Sequence, residues 1–396
     1  MKVTVRKGDT LWYYSQLFNI PLRLIIESNP NVNPQVLNIG QKIAIPGYVT
    51  DSYTIKEGDT FWDLATEKQL SVDTLLLVNP NIDPQHLQVG QQIQIPKRVT
   101  GMVVNWKSQY DYGKLTADLQ QLLDIYPFMS RNHIGNSVMG KAIPEIRIGR
   151  GDKKVHFDGS FHANEWTATP MIMRFVNEYL LALTNRGAIR GLYMAPFYDE
   201  TTLSVVPMVN PDGVDLVING PPDEAPYHDM VLKINKGSSD FSDWKANIRG
   251  VDLNDQFPAR WYIEARRREQ EPSPANYPGP EPLSEPEASA VAQLTKQLDY
   301  NWVLAFHSQG EVIYWGFLGY EPSYSQTMVQ EFARVSGYEP IRYVDSYAGY
   351  KDWFIQDWRR PGFTVEIGKG EKPLPLSQFG EIYQECLGIF LASLYL

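Results

Sequence analysis

The sequence predicts an α/β protein: a large domain with a mostly buried, mixed sheet flanked by helices, preceded by two small βααβ units. Three observations predict it. The first hundred residues repeat with a period of about 50. The rest alternates between helical and strand-like segments. The chain's 396 residues, 43% hydrophobic and 21% charged, are too many for one small core and suit one large domain plus smaller ones. The boundaries fall at 1–48, 49–98 and 101–396, with a short link from Lys97 to Gly101.

In the repeats, Lys7-Gly8-Asp9-Thr10-Leu11-Trp12 matches Glu57-Gly58-Asp59-Thr60-Phe61-Trp62. Asn29-Pro30-Asn31 matches Asn79-Pro80-Asn81, and the run from Gly40 to Pro46 matches that from Gly90 to Pro96. Each unit reads as a strand (Val3 to Val5; Tyr53 to Ile55), a turn, two helices and a closing strand ending at proline. Asp9 and Asp59 are placed as N-caps, with the residue pairs behind them facing the core. These units resemble LysM domains, which bind N-acetylglucosamine-containing glycans such as peptidoglycan or chitin. The resemblance implies glycan contacts at Gly8, Asp9, Thr10, Asn29 and Asn31, and at Gly58, Asp59, Thr60, Asn79 and Asn81. Backbone amides and carbonyls there can bond acetamido groups, and two modules on one chain raise avidity.

In the large domain, strand-like runs stand at Lys154 to Ser160, Asn301 to Phe306, Leu203 to Val209 and Gly362 to Val365. Thr169-Pro170 opens a helix through Leu183, with proline in its first turn. Ser284-Glu285-Pro286-Glu287 reads as a capping box opening a helix through Leu298. Five prolines between Glu269 and Pro282 mark a loop without regular structure, of the length that walls a site.

The first of these runs leads into Phe161-His162-Ala163-Asn164-Glu165-Trp166, which puts an imidazole and a carboxylate within reach of one cation. The run from Asn301 delivers His307 at its end. Two histidines and a glutamate leave a fourth position open on Zn²⁺, the coordination of a catalytic site. Of the other histidines, His86 belongs to a repeat, His133 and His228 lie in polar, turn-like stretches, and His156 is six residues back along a strand, about 20 Å from His162.

With His162, Glu165 and His307 stand Asn210-Pro211-Asp212-Gly213, Gly250-Val251-Asp252-Leu253-Asn254, His307-Ser308 and Glu366. In this order and spacing they resemble the zinc carboxypeptidase A family over about residues 105–396. The resemblance implies an eight-stranded-type mixed sheet and one zinc ion held by His162, Glu165 and His307. It makes Glu366 the group that takes a proton from the attacking water and passes it to the leaving nitrogen. It makes Lys245, with Arg249 as rival, the cation that stabilises the oxyanion. Tyr347, or alternatively Tyr343, would close over substrate.

In an exocarboxypeptidase of this family, arginine would follow Asn254 and bind the substrate's free carboxylate; here the residue is Asp255, which repels what arginine attracts. Asn164 stands where the family usually supplies a basic residue. Members of the family joined to LysM repeats include γ-D-glutamyl-meso-diaminopimelate peptidases, and this chain resembles them. On that resemblance, Asp255 pairs with the diaminopimelate ammonium and Asn254 bonds its neighbouring carboxylate. An ordinary metallocarboxypeptidase and an inactive glycan-binding adaptor are the competing readings.

The net charge of −10 argues against a nucleic-acid footprint, which needs a basic face. The single cysteine, Cys386, excludes an intrachain disulfide framework and a multi-cysteine metal site, and its apolar surroundings suggest a buried thiol. No leader is recognisable before Thr10 and no apolar run spans a bilayer. The resemblances imply peptidoglycan stem peptides and N-acetylglucosamine-containing glycan as partners. The expected location is the cytoplasm, or the cell wall or spore after release during sporulation or lysis.

Overall fold

The computed structural model describes residues 1–396 and divides into two compact units. The first comprises 1–103 together with 119–130 and 177–195. Both repeats are βααβ: strand Lys2–Thr4, helices Leu11–Phe18 and Leu22–Glu27, strand Lys42–Ala44; then strand Tyr48–Thr54, helices Phe61–Glu67 and Val72–Val78, strand Gln92–Arg98. In each repeat the two strands pair antiparallel. Residues 97 and 98, expected in a link, continue the closing strand. Arg98 donates to the Thr184 carbonyl at 3.0 Å, and the Gly47 amide to the Ile125 carbonyl at 2.8 Å. The repeats are joined by Arg6, whose guanidinium forks onto Asp73 at 2.6 and 2.8 Å.

The helix starts differ from expectation. Thr10 and Thr60 are the N-caps, each accepting from the amide three residues on. Asp9 instead accepts from the Arg6 amide and the Tyr14 hydroxyl, and Asp59 from the Lys56 amide and the Tyr53 hydroxyl. These carboxylates brace turns in which Gly8 and Gly58 hold φ of +89° and +84°, a backbone that L side chains rarely adopt. Behind the caps only Leu11 and Phe61 enter the core; Trp12 and Trp62 are 62% and 66% exposed.

The second unit comprises 104–118, 131–176 and 196–396. Its sheet has eight strands in the spatial order Glu339–Ile341, Val312–Tyr314, Gly362–Glu366, Trp302–His307, Lys153–Gly159, Thr201–Val206, Ala142–Gly149 and Ser130–Asn136. The four central strands, Gly362–Glu366 to Thr201–Val206, run parallel, and their neighbours on either side are antiparallel to them. Burial on both faces explains why Trp302–His307 reads as a continuous apolar run rather than an alternation. Helices Ala168–Asn185 and Phe379–Tyr395 meet the sheet through Phe157, Phe175, Phe306 and Phe390, with paired ring centroids 4.5–6.2 Å apart in that cluster. Helices Pro286–Leu298 and Tyr350–Trp358 contribute to a second core with Phe161, Phe257 and Trp353. Cys386, on helix Phe379–Tyr395, is buried without a disulfide, as its sequence suggested.

Two caps in this unit also differ. The helix at 168 begins before Thr169, whose hydroxyl donates to the Pro207 carbonyl. The helix at 286 has Glu285 as N-cap and no capping box; the Glu287 carboxylate accepts from the Val138 amide instead. No helix is long and apolar enough to cross a membrane.

Candidate metal centre and active site

The carboxyl ends of parallel strands are where open α/β sheets present ligands, and the expected chemistry collects there. His307 ends its strand directly opposite Glu366 in the neighbouring one. His162 and Glu165 follow the adjacent strand on a short turn, Ala163–Glu165. Asn210 fixes that turn: its amide nitrogen donates to the carbonyls of Phe161 and Ala246 at 3.1 and 3.0 Å, while its oxygen caps the next helix at the Gly213 amide. A Cβ on Gly213 would lie 2.6 Å from Asn210 and 2.7 Å from the Ala246 carbonyl, which is why the motif ends in glycine.

His162, Glu165 and His307 are all buried, and their donor atoms converge. The two Nδ1 atoms are 3.2 Å apart; His162 Nδ1 is 2.9 Å from Glu165 Oε1 and His307 Nδ1 is 3.0 Å from Oε2. Ligands at about 2.0–2.1 Å on a tetrahedral zinc would be separated by about 3.3 Å, so the set fits that ion. Asp252 Oδ1 lies 3.1 Å from His162 Nε2, which directs the ring proton away from the centre and leaves Nδ1 free to ligate. Burial alone would raise the Asp252 carboxyl, but Lys245 and His162 hold it well below the usual range. Replacing Asp252 with asparagine should lower zinc affinity about 10–100-fold, read by competition with a chelator at fixed pH.

Glu366 is also close to this set: burial, then the charge of Glu165, pushes its carboxyl up to about 7. Lys245 Nζ lies 3.4 Å from Asp252 Oδ2 and feels the charges of Asp252 and Glu165, which keep it protonated despite burial. Arg249 does not join the site; half-exposed, it pairs with Glu285 at 3.5 Å. Asn254 accepts from the Tyr350 amide at 3.4 Å. Asp255 is buried beside Arg268, with Nε–Oδ2 3.3 Å, and burial and Asp252 push its carboxyl up to about 8. Asn164 is buried with no partner for its side-chain oxygen. Tyr347 and Tyr343 line one cavity of about 480 Å³ with Phe317 and Asp352. Tyr343 is tied to Glu321 at 3.0 Å, while Tyr347 packs on Phe317 under the Arg267 guanidinium.

The remaining histidines stay out of the centre. His156 stacks on Tyr300, and His86, His133 and His228 pair with Asp83, Asn136 and the Pro222 carbonyl. In the repeats, Gly8, Thr10 and Asn31 and their counterparts Gly58, Thr60 and Asn81 are exposed. Asn29 and Asn79 are corrected: their side chains are buried and bonded to backbone (Ile25, Ala44; Leu75, Gln94), so they shape the loop rather than face a ligand.

Sequence reasoning missed three groups. Asp252 stands in the sequence as one member of a motif, although an acid between Val251 and Leu253 is a signal in itself. Lys372, whose Nζ donates to Glu165 Oε1 at 2.6 Å, sits in a polar loop that carries no such signal. Arg268 lies in a basic run that reads as surface. The proline-rich loop does support the site, since the Asn276 amide donates to Asp252 at 3.2 Å and the Tyr277 carbonyl accepts from the Asp252 amide at 2.7 Å.

The sequence profile of the family described as zinc carboxypeptidase matches residues 115–386, and that of the LysM domain matches 3–46 and 53–96. Gamma-D-glutamyl-L-diamino acid endopeptidase 1 of Lysinibacillus sphaericus is 64% identical over 396 residues, covering 100% of both chains. An uncharacterized protein of Bacillus subtilis, YqgT, is 42% identical over 290 residues, 72% of this chain and 77% of its own. Bovine thrombin-activatable fibrinolysis inhibitor, solved with a tick carboxypeptidase inhibitor, superposes with a TM-score of 0.57 at 19% identity, over 73% of this chain and 97% of that one, a likeness of fold.

Proposed function

The chain belongs to the zinc carboxypeptidase family and is a zinc metallopeptidase carrying two LysM domains; from that premise we propose that it hydrolyses the γ-D-glutamyl-meso-diaminopimelate bond of peptidoglycan stem peptides. The observation that carries the reading is the end-to-end identity with an enzyme named for a γ-D-glutamyl-diamino acid bond. The aspartate after Asn254 supports it: burial and Asp252 push its carboxyl up, a substrate ammonium beside it would favour its ionised form, and a plain peptide carboxylate would meet no cation there.

Zinc held by His162, Glu165 and His307 would polarise the scissile carbonyl and bring the pKa of water toward about 7. Glu366 accepts the proton of the attacking water and returns it to the departing nitrogen. Lys245, a point charge balanced by Asp252, faces the oxyanion as it develops. Asn254 and Asp255 hold the diaminopimelate residue, and Tyr347 covers it. The exposed loops at Gly8–Thr10, Asn31, Gly58–Thr60 and Asn81 hold N-acetylglucosamine-containing glycan. The substrates are wall fragments met in the cytoplasm, or the wall itself during sporulation or lysis. Digestion of defined muropeptides, followed by mass spectrometry, tests the reading. Products split between γ-D-glutamate and diaminopimelate are expected, and release of single C-terminal residues from plain peptides would overturn it.

A further inference from the structure

Arg268 is engaged on two sides by carboxylates. Its Nη2 lies 2.7 Å from Glu264 Oε1 and its Nε 3.3 Å from Asp255 Oδ2, both ion pairs without hydrogen-bond geometry. Glu264 is completely buried and also receives Arg267 on its other oxygen at 3.0 Å. The side chain of Arg268 is 29% exposed, against 7% for Asp255, so the positive partner is the one that reaches solvent. The Nε–H is buried and lacks an acceptor, which costs free energy unless something else supplies one.

This cluster adjoins the metal centre. Asp255 ends the short turn Leu253–Asp255 that begins beside Asp252, the carboxylate on His162 and Lys245. Ser346, within 3.4 Å of Arg268, precedes Tyr347, whose amide donates to Glu264 at 3.3 Å. A residue bound just past the scissile bond would therefore meet a recessed carboxylate and a more exposed guanidinium side by side. Aspartate at 255 leaves that position unable to bind an anion, and Arg268 restores a cation next to it.

We propose that Arg268 is a specificity-determining residue that takes a carboxylate of the substrate's diamino acid, while Asp255 both orients Arg268 and accepts the ammonium. The assignment rests on the substrate reading above and deepens it. A forked donor suits a carboxylate, and the part of the guanidinium that reaches solvent is the part a substrate carboxylate can meet. A lysine residue, with the ammonium but no side-chain carboxylate, would leave the guanidinium facing a cation without an anion between them.

Steady-state kinetics on three stem peptides tests this: one with diaminopimelate, one with its side-chain carboxyl amidated, and one with lysine in its place. The wild-type enzyme should prefer the first. In Arg268→Ala the ratio of kcat/KM for the first stem over the other two should fall about 10- to 100-fold, the size of one charge-assisted hydrogen bond, with the change mainly in KM. Arg268→Lys should recover part of that ratio. Zinc content and circular dichroism establish that each variant is folded. A fall of equal size on all three stems, or an unchanged ratio in a folded variant, overturns the assignment alone. Failure of the wild-type enzyme to cleave any of them overturns the substrate reading and this assignment with it.

Discussion

Glu366→Gln should lower kcat about 10²- to 10⁴-fold, the usual contribution of a positioned acid-base group, while zinc content and substrate binding stay close to wild type. Glutamine keeps the shape and loses the proton acceptor. The residue lies against His307 across the sheet, so the substitution leaves the metal ligands in place. The pH profile adds a second readout. A general base works only when ionised, so activity should fall as pH drops through the Glu366 pKa. Burial and Glu165 bring that value to about 7 with no cation present. A divalent ion at the three ligands draws it lower, so the acid limb of the zinc enzyme should lie below about 7. The residual activity of Glu366→Gln should lack that limb. A variant with near-normal kcat would remove Glu366 from the reaction.

Stripping the metal should abolish hydrolysis, and one equivalent of zinc should restore it. In His307→Ala, zinc affinity should fall by more than the roughly 10- to 100-fold cost of losing an outer partner, leaving the dialysed protein inactive and metal-poor. Zinc analysis per chain and an assay at fixed free zinc check both points. Full activity in a chelated protein, or stoichiometric zinc in His307→Ala, would contradict the three-ligand site. Ligands must shed protons to bind, so retention of the metal should also weaken on acidification.

Of the three residues grouped as metal ligands, His307 was legible because it ends a run buried on both faces of the sheet, and His162 and Glu165 because of their spacing after the neighbouring strand. Glu366 stands out as an acid closing the run Gly362 to Val365, and the structure sets it opposite His307. The repeats were legible because their turns demand Gly8 and Gly58 and their helices demand small caps. The assignment of those caps was off by one residue, since aspartate and threonine both serve and only the local hydrogen bonds distinguish them. Asn29 and Asn79 misled for a related reason: an exposed motif and a buried backbone bridge use the same residue. Lys372 and Arg268 were illegible because a cation's role depends on which distant carboxylate it meets, Glu165 from 207 residues away in the first case. Telling the surroundings of Lys245 and Arg249 apart also required the fold, which sets the first against Asp252 and pairs the second with Glu285.

A slip of one residue between the strands of His307 and Glu366 would turn one of these two side chains to the wrong side of the sheet. Their spacing is held by the same backbone ladder that forms the middle of the molecule, so no lid has to swing shut to bring them together. The reaction centre therefore has no private weak point at this pair: it should outlast fraying at the periphery and fail only when the innermost strands come apart.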